Sequence, residues 1–325
     1  MPEYAERGDA IMMITANDPD LLADQDPDLV SAASGAAWRH FGPVFNLLSR
    51  GATNWLAIAA ARPAWAAKVF PDLPKAAQEP RLWQAIFKAC RLDRPDPVVG
   101  WQEHIGSLSA RCDYLNHRRY DALRFKGPGT NLSVGLPKGH IWRSGRLITQ
   151  KGIPYIANLP TEEVFSLPDR CRIEGVVATS KPLLHRGTLI EDFRLTFAGG
   201  RVVKVAAKKG EPILRKLLET DDGASRPGEV ALVPHSSPIS RSGLLFFNGL
   251  IDENAASHLA SGHAYRFSMQ NGEAMSSPES APAGGNDSQI HVDFMIGSGE
   301  IGVDGITQEG AAEPVMRDGE WTLPI

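Results

Sequence analysis

The residues best suited to chemistry are carboxylates and imidazoles set into apolar surroundings in the last third of the chain. In Gln289-Ile290-His291-Val292-Asp293-Phe294-Met295-Ile296-Gly297, polar and apolar residues alternate. As a strand, this run turns His291 and Asp293 to one face and Val292, Phe294 and Ile296 to the other. An imidazole and a carboxylate two residues apart on one strand face make half of a metal site. Glu229 opens the apolar run Glu229-Val230-Ala231-Leu232-Val233-Pro234, where a buried carboxylate needs a partner. Glu253 and His258 stand five residues apart within Ile251 to Gly262. That stretch reads as a helix capped by Asp252 or Asn254 and stopped at Gly262. Five residues span about 140° of a helix, so the two share a site only if Glu253 lies in a frayed first turn. Each feature also has a plain structural explanation: an acid and a histidine on one helix form a satisfied pair, and acids at strand ends are solvated. Their coincidence between Glu229 and Asp293 favours convergence on divalent metal.

The elements that would position these groups must come from a chain of 325 residues, 42% of them hydrophobic, enough for one large domain or two ordinary ones. A formal charge of −4 with interspersed signs offers no basic footprint for nucleic acid. Cys90, Cys112 and Cys171 are scattered without Cys-x-x-Cys spacing, which argues against a zinc finger or a disulfide framework and fits a reducing compartment. No apolar run approaches the roughly 20 residues that span a bilayer, and no signal-peptide pattern opens the chain. The expectation is a cytoplasmic protein with no membrane contact.

In the front half, Gly8 to Thr15 reads as a buried strand, followed by a turn at Asn17-Asp18-Pro19. Residues 20 to 50 are helix-like, Asn54 to Ala60 is an apolar strand, and helices are expected from Arg62, over Arg81 to Cys90, and from about Val98 to Leu123. Strands alternating with helices make this half α/β. The back half is strand-rich and mixed. Gly127 to Pro137 is glycine-rich, but no Gly-Lys-Ser/Thr follows, so it reads as a tight turn between strands rather than a phosphate cradle. Thr161-Glu162-Glu163 sets two adjacent acids beside apolar residues and reads as a helix N-terminus capped by Thr161. Ala198-Gly199-Gly200-Arg201 marks a hairpin turn, and Glu211 to Thr220 an amphipathic helix with Pro212 in its first turn. Residues 268 to 287, rich in Ser, Pro, Gly and Asn, read as a flexible loop. The fold class is therefore an α/β N-terminal domain, residues 1–125, plus a mixed α+β, strand-rich C-terminal catalytic domain, residues 126–325.

Five ordered motifs, at Asn158 to Phe165, Ile173 to Val177, Gly228 to Pro234, Asp252 to Ala260 and His291 to Gly297, resemble the aminopeptidase T and aminopeptidase S family of thermophilic-type metallo-aminopeptidases. The resemblance extends to Val69 to Leu73 and Gly127 to Pro137. It implies two divalent ions (Zn, Co, Mn or Mg), with Glu163, Glu229, Glu253, His258, His291 and Asp293 as ligands and Tyr265 as an active-site tyrosine. It also implies a homodimer whose sites face an internal cavity. Family members usually begin a sizeable segment before the strand at Ala10 to Ile14, so an N-terminal domain shortened relative to the family is expected.

The implied reaction is removal of N-terminal residues, apolar ones such as leucine, from short peptides. Two ions lower the pKa of a shared water from about 15.7 to near 7 and polarise the scissile carbonyl. An ion that also holds the free amino group accounts for exopeptidase action, because an internal peptide nitrogen is a poor ligand. Four carboxylates without thiolates suit fairly hard ions. Glu229 or Asp293 is the expected bridging ligand, Tyr265 an expected donor to the oxyanion, and Glu162 a candidate general base. Two other readings stay open: a metal- or peptide-binding protein without turnover, and a dinuclear hydrolase of another amide or ester.

Overall fold

The computed structural model describes residues 2–16 and 18–325; Asn17, read as part of a turn, lies outside them. Among the described residues the strands form three main sheets and a short hairpin. In the first, Ile11–Thr15, Trp55–Ala59 and Asn158–Leu159 run parallel. A strand from the second half of the chain thus completes a sheet begun in the first. Ile11–Thr15 is an edge strand, and Met12 and Ile14 are exposed, whereas its apolar composition predicted burial.

Helices Pro63–Val69 and Lys75–Ala89 pack beside this sheet. Trp65, Leu82 and Ile86 share a core with Ile239, Phe246 and Ile251, and the Trp65 indole donates to the Phe246 carbonyl. The helix Pro97–Arg118 begins at Asp96, whose carboxylate accepts from the Val98 and Val99 N–H groups, and stops where Arg119 turns left-handed. It ends five residues before the expected Leu123, because the apolar residues run on into the strand Ala122–Gly127.

A long antiparallel sheet gathers most of the second half. Its order is Leu183–His185, Thr188–Ala198, Ile173–Ala178, Thr130–Gly135, Ala122–Gly127, Gly302–Ile306, Ala312–Arg317 and Glu320–Trp321, with Arg201–Lys209 also paired to Thr188–Ala198. Of the glycine-rich segment Gly127 to Pro137, only Gly127 to Thr130 forms the hairpin turn, and Thr130–Gly135 is the second strand. A third, antiparallel sheet is ordered His291–Met295, His258–Gly262, Pro227–Leu232, Val164–Ser166 and Arg143–Ser144. Leu115, Phe125, Val134, Leu232, Leu259 and Phe294 join these layers in one core.

Three local expectations are corrected. The stretch Ile251 to Gly262 is a short helix, Gly249–Asp252, a 3-10 turn, Glu253–Ala255, and then the strand His258–Gly262. Ala256 is fully extended and breaks the helix. The strand is buried on both faces, so its small residues show no alternation and mimic a helix body. Thr161-Glu162-Glu163 starts no helix. It leads into the strand Val164–Ser166, and the Glu162 N–H that a helix would leave to the cap donates to Asn254 Oδ1 at 2.6 Å. Residues 268–287 contain a 3-10 turn, Gly272–Ala274, and a helical turn, Ser277–Ser280, and are anchored at their end. The buried Asn286 amide donates to the Gly223 carbonyl at 2.9 Å and the Gly262 carbonyl at 2.6 Å.

Gly262 ends the strand that carries His258. Its φ is +107°, and a Cβ there would lie 2.1 Å from the Ile290 carbonyl oxygen. Gly262→Ala is expected to destabilise the protein by about 2 kcal/mol or more, read as a lower midpoint in urea unfolding, because backbone rather than a movable side chain is in the way.

Candidate metal centre

The third sheet brings the predicted ligands onto one face. Asp293 pairs with Ala260 on one side, and Glu229 pairs with Ala260 on the other. His258 lies two residues before Ala260, and His291 sits opposite Gly262. Alternation then points Glu229, His258, His291 and Asp293 the same way. Alanine at the middle of these rows leaves open the space that the four larger side chains surround. Glu163 comes in at the start of the neighbouring strand, where Val164 pairs with Leu232.

His258 Nε2 lies 3.2 Å from Glu163 Oε2 and 3.4 Å from Glu229 Oε1. His291 Nε2 lies 3.6 Å from Asp293 Oδ1 and 3.9 Å from Glu229 Oε2. The ligand atoms of Glu163, Glu229 and His258 fall within 4.8 Å of one another, as do those of Glu229, His291 and Asp293. Glu229 belongs to both groups and turns a different oxygen to each histidine. The histidines are oriented from behind: His258 Nδ1 is 3.1 Å from the Ala256 carbonyl and His291 Nδ1 is 2.8 Å from the His263 carbonyl. A carbonyl only accepts, so each Nδ1 carries hydrogen and each Nε2 faces the cluster.

Glu253 is outside both groups. Asn158 Nδ2 donates to its Oε1 at 3.0 Å, yet it lines the same cavities as Asp293. Tyr265 packs on His291, with ring centroids 4.9 Å apart, and stacks on Phe267 at 5.2 Å. Glu162 is not brought to the cluster. Its carboxylate is held by both terminal nitrogens of Arg91, itself at a left-handed φ of 56°, and lies 3.7 Å from His104 Nε2. Sequence reasoning missed Arg91, Asn158 and Asn254. The available signal was that a buried carboxylate demands a partner, but nothing in the sequence says which side chain answers it.

Burial pushes the Glu229 carboxyl up to about 7, and the charges of Glu163 and Asp293 push the same way against the His258 hydrogen bond. Glu253 is raised well above the usual carboxylate range by burial and by the neighbouring acids. Burial lowers the His258 and His291 imidazoles, but the carboxylates around them outweigh it and hold both above their ordinary value. The Tyr265 phenol is raised by burial and by the same carboxylates, so it keeps its proton as a donor. Glu163 Oε2, His258 Nε2 and Asp293 Oδ1 are buried and face only one another's side of the cluster, with no hydrogen-bond partner outside it among the described residues. Buried polar atoms are normally satisfied. Three such donor atoms on one side of a carboxylate-imidazole cluster fit divalent cations and no ordinary packing role.

Two cavities meet at the cluster, and both are lined by Glu253 and Asp293. One, of about 70 Å³, is walled by Trp55, Leu147, Ala157, Phe165, Tyr265 and Phe267. The other, of about 510 Å³, opens toward Thr15, Arg62, Arg186 and Phe247.

A mixed α/β scaffold presenting buried carboxylates and imidazoles beside a cleft defines a metal-dependent hydrolase. The description "Thermophilic metalloprotease (M29)" matches residues 1–321. Aminopeptidase T of Thermus aquaticus is 46% identical over 99% of this chain and 79% of its own length. Aminopeptidase AmpS of Bacillus subtilis (strain 168) is 43% identical over 99% and 78%. The solved structure of wild-type AmpT from Thermus thermophilus superposes with a TM-score of 0.90 at 45% identity, covering 99% of this chain and 78% of that one. The chain belongs to the M29 family of thermophilic metalloproteases and is a metal-dependent aminopeptidase.

Two expectations follow. Glu229, His258 and His291 bind protons more tightly when folded, so the stability they add to the metal-free protein is present at low pH and lost as pH rises through the folded values. The melting temperature of chelator-treated protein should fall between about pH 5 and pH 8, and the rise produced by a divalent ion should grow over the same range. Arg91→Met, which strands the Glu162 carboxylate, should cost about 3–5 kcal/mol in equilibrium unfolding.

Proposed function

We propose that the enzyme removes single apolar residues such as leucine from the N-termini of short peptides, using two divalent ions. The observation that carries this reading is Glu229, shared by two donor groups through opposite oxygens. Glu163 and His258 complete one group and His291 and Asp293 the other, with Glu253 as a further acid facing the cluster. Zn, Co, Mn and Mg all suit this oxygen- and nitrogen-donor set. Bound ions would supply Lewis-acid polarisation of the scissile carbonyl and a more acidic water.

The chain's own residues do the rest. The histidines, tied at Nδ1 to backbone carbonyls, hold their Nε2 atoms in place without reorganising. The protonated Tyr265 phenol is positioned to donate to the oxygen on which negative charge develops. The small cavity, walled by Trp55, Leu147, Phe165 and Phe267, excludes water and accepts one apolar side chain. The acids lining it, Glu163, Glu229, Glu253 and Asp293, are the proposed ligands, so a bound ion would hold the neutral amino group of the substrate there. Glu162 acts by position, anchored to Arg91 so that the next residue, Glu163, enters the cluster in one orientation.

The proposed organisation is an N-terminal unit of residues 1–125 and a catalytic unit of residues 126–325, since every proposed ligand lies in the second. The two are interlocked, because Asn158–Leu159 pairs with Trp55–Ala59. A homodimer is supported by the exposed Met12 and Ile14 on an edge strand, a surface that a second copy would cover. Three free cysteines fit a reducing, cytoplasmic setting. Among the described residues, no helix is long and apolar enough to cross a membrane.

Turnover of leucine p-nitroanilide should require added divalent ion and cease with a chelator, and a substrate with an acetylated amino group should resist. Glu229→Gln should lower kcat/KM by more than about a hundredfold and lower the bound ion count by mass spectrometry. Cleavage of the acetylated substrate at a comparable rate would instead favour a general amide or ester hydrolase.

A further inference from the structure

The cluster borders cavities of very unequal size, and the larger is lined by two arginines that form no ion pair among the described residues. A scissile bond at the cluster has one residue on one side and the rest of the peptide on the other. The small apolar cavity matches the first, and the cavity of about 510 Å³ matches the second. A wall of the larger cavity is the hairpin of Leu183–His185 with Thr188–Ala198. At its tip Arg186 and Gly187 have φ of 50° and 78°. A Cβ on Gly187 would lie 2.9 Å from the Ala23 backbone nitrogen, so the tip is pressed against the 22–23 segment and cannot swing freely. Such a turn prefers Asn or Asp before the glycine, and a long residue at positive φ costs about 1 kcal/mol or more. Arginine is therefore there for its side chain.

Among the described residues neither Arg186 nor Arg62 forms an ion pair, and Arg62 makes a single long hydrogen bond, 3.4 Å, to the Ala16 carbonyl. The acids of the same wall are engaged. Asp252 accepts from Phe246 N at 2.8 Å and Asn248 N at 3.0 Å, Asp18 accepts from Asp20 N at 3.0 Å, Glu253 accepts from Asn158 Nδ2 at 3.0 Å, and Asp293 belongs to the cluster. We propose that this cavity receives the departing part of the peptide and that Arg186, assisted by Arg62, takes its C-terminal carboxylate. A guanidinium fork matches a carboxylate with two parallel hydrogen bonds. The inference rests on the aminopeptidase reading and names its substrate class: short peptides with a free C-terminal carboxylate.

The test compares kcat/KM of the ion-loaded, full chain on Leu-Gly-Gly and on Leu-Gly-Gly-amide, beside leucine p-nitroanilide, which has no carboxylate. The free acid should be preferred over the amide by about tenfold or more, and Arg186→Gln should bring that ratio close to one, with Arg186→Lys in between. The ratio cancels any loss of folded enzyme. Equal rates on acid and amide, or a preference that survives Arg186→Gln, would overturn the proposal while p-nitroanilide turnover leaves the aminopeptidase reading standing. A preference lost only on Arg62→Gln would move the carboxylate seat and also overturn the assignment to Arg186. No turnover of any of the three would sink both readings together.

Discussion

Burying several carboxylates against one another is the constraint around which this molecule is arranged. Glu163 and Glu229 are nearly inaccessible to solvent, and the part-buried Glu253 and Asp293 line the same cavity. Removing such groups from water is costly, and their mutual repulsion in a weakly screened interior adds to the cost. Without cations the cluster favours keeping protons, so Glu229 and Glu253 are pushed upward and both imidazoles are held above their ordinary value. Divalent ions relieve the same stress while creating the electrophile the reaction needs. Catalytic potential and folding cost are one feature.

The surrounding architecture keeps that stressed centre from relaxing. An antiparallel sheet fixes side-chain direction by its period of two, and three adjacent strands each contribute at least one ligand to the same face. Ala260, paired with both Glu229 and Asp293, occupies a position where a larger side chain would fill the gap between ligands. Backbone carbonyls lock both histidines, and the amide of Asn158 holds Glu253. One turn away, Arg91 satisfies Glu162 in a buried pair. Two neighbouring glutamates thus have opposite fates, one neutralised by a fixed cation and the other left open toward the cluster.

Much of this was legible. His291 and Asp293 were placed on one face by simple alternation, and the strand from Glu229 and the glycine-turn hairpins follow from apolar runs bounded by punctuation residues. The start of the helix after the break at Asp93 to Pro97 was legible, but its end at Arg118 was not, because the apolar residues run on into the next strand. The stretch around His258 was not legible in the same way. A strand covered on both faces has no polar side to reveal its period, and Ala-Ser-Gly-rich residues satisfy a helix equally well. The segment 268–287 was misleading for a related reason: a few of its polar residues, such as the buried Asn286, satisfy distant backbone carbonyls and tie the segment to the core.

By itself, the sequence determined which side chains are available, which of them share a strand face, and through its motifs which family they belong to. Only the tertiary structure decided that Glu229 turns one oxygen to each histidine, that Glu162 is spent on Arg91, and that the cavities on the two sides of the cluster differ so greatly in size. The reason is physical. Side-chain direction along one strand is a local property set by the chain's own pleat, whereas the partner of a buried charge is chosen by whichever distant element packs against it. That choice appears only once separate sheets close over a common core.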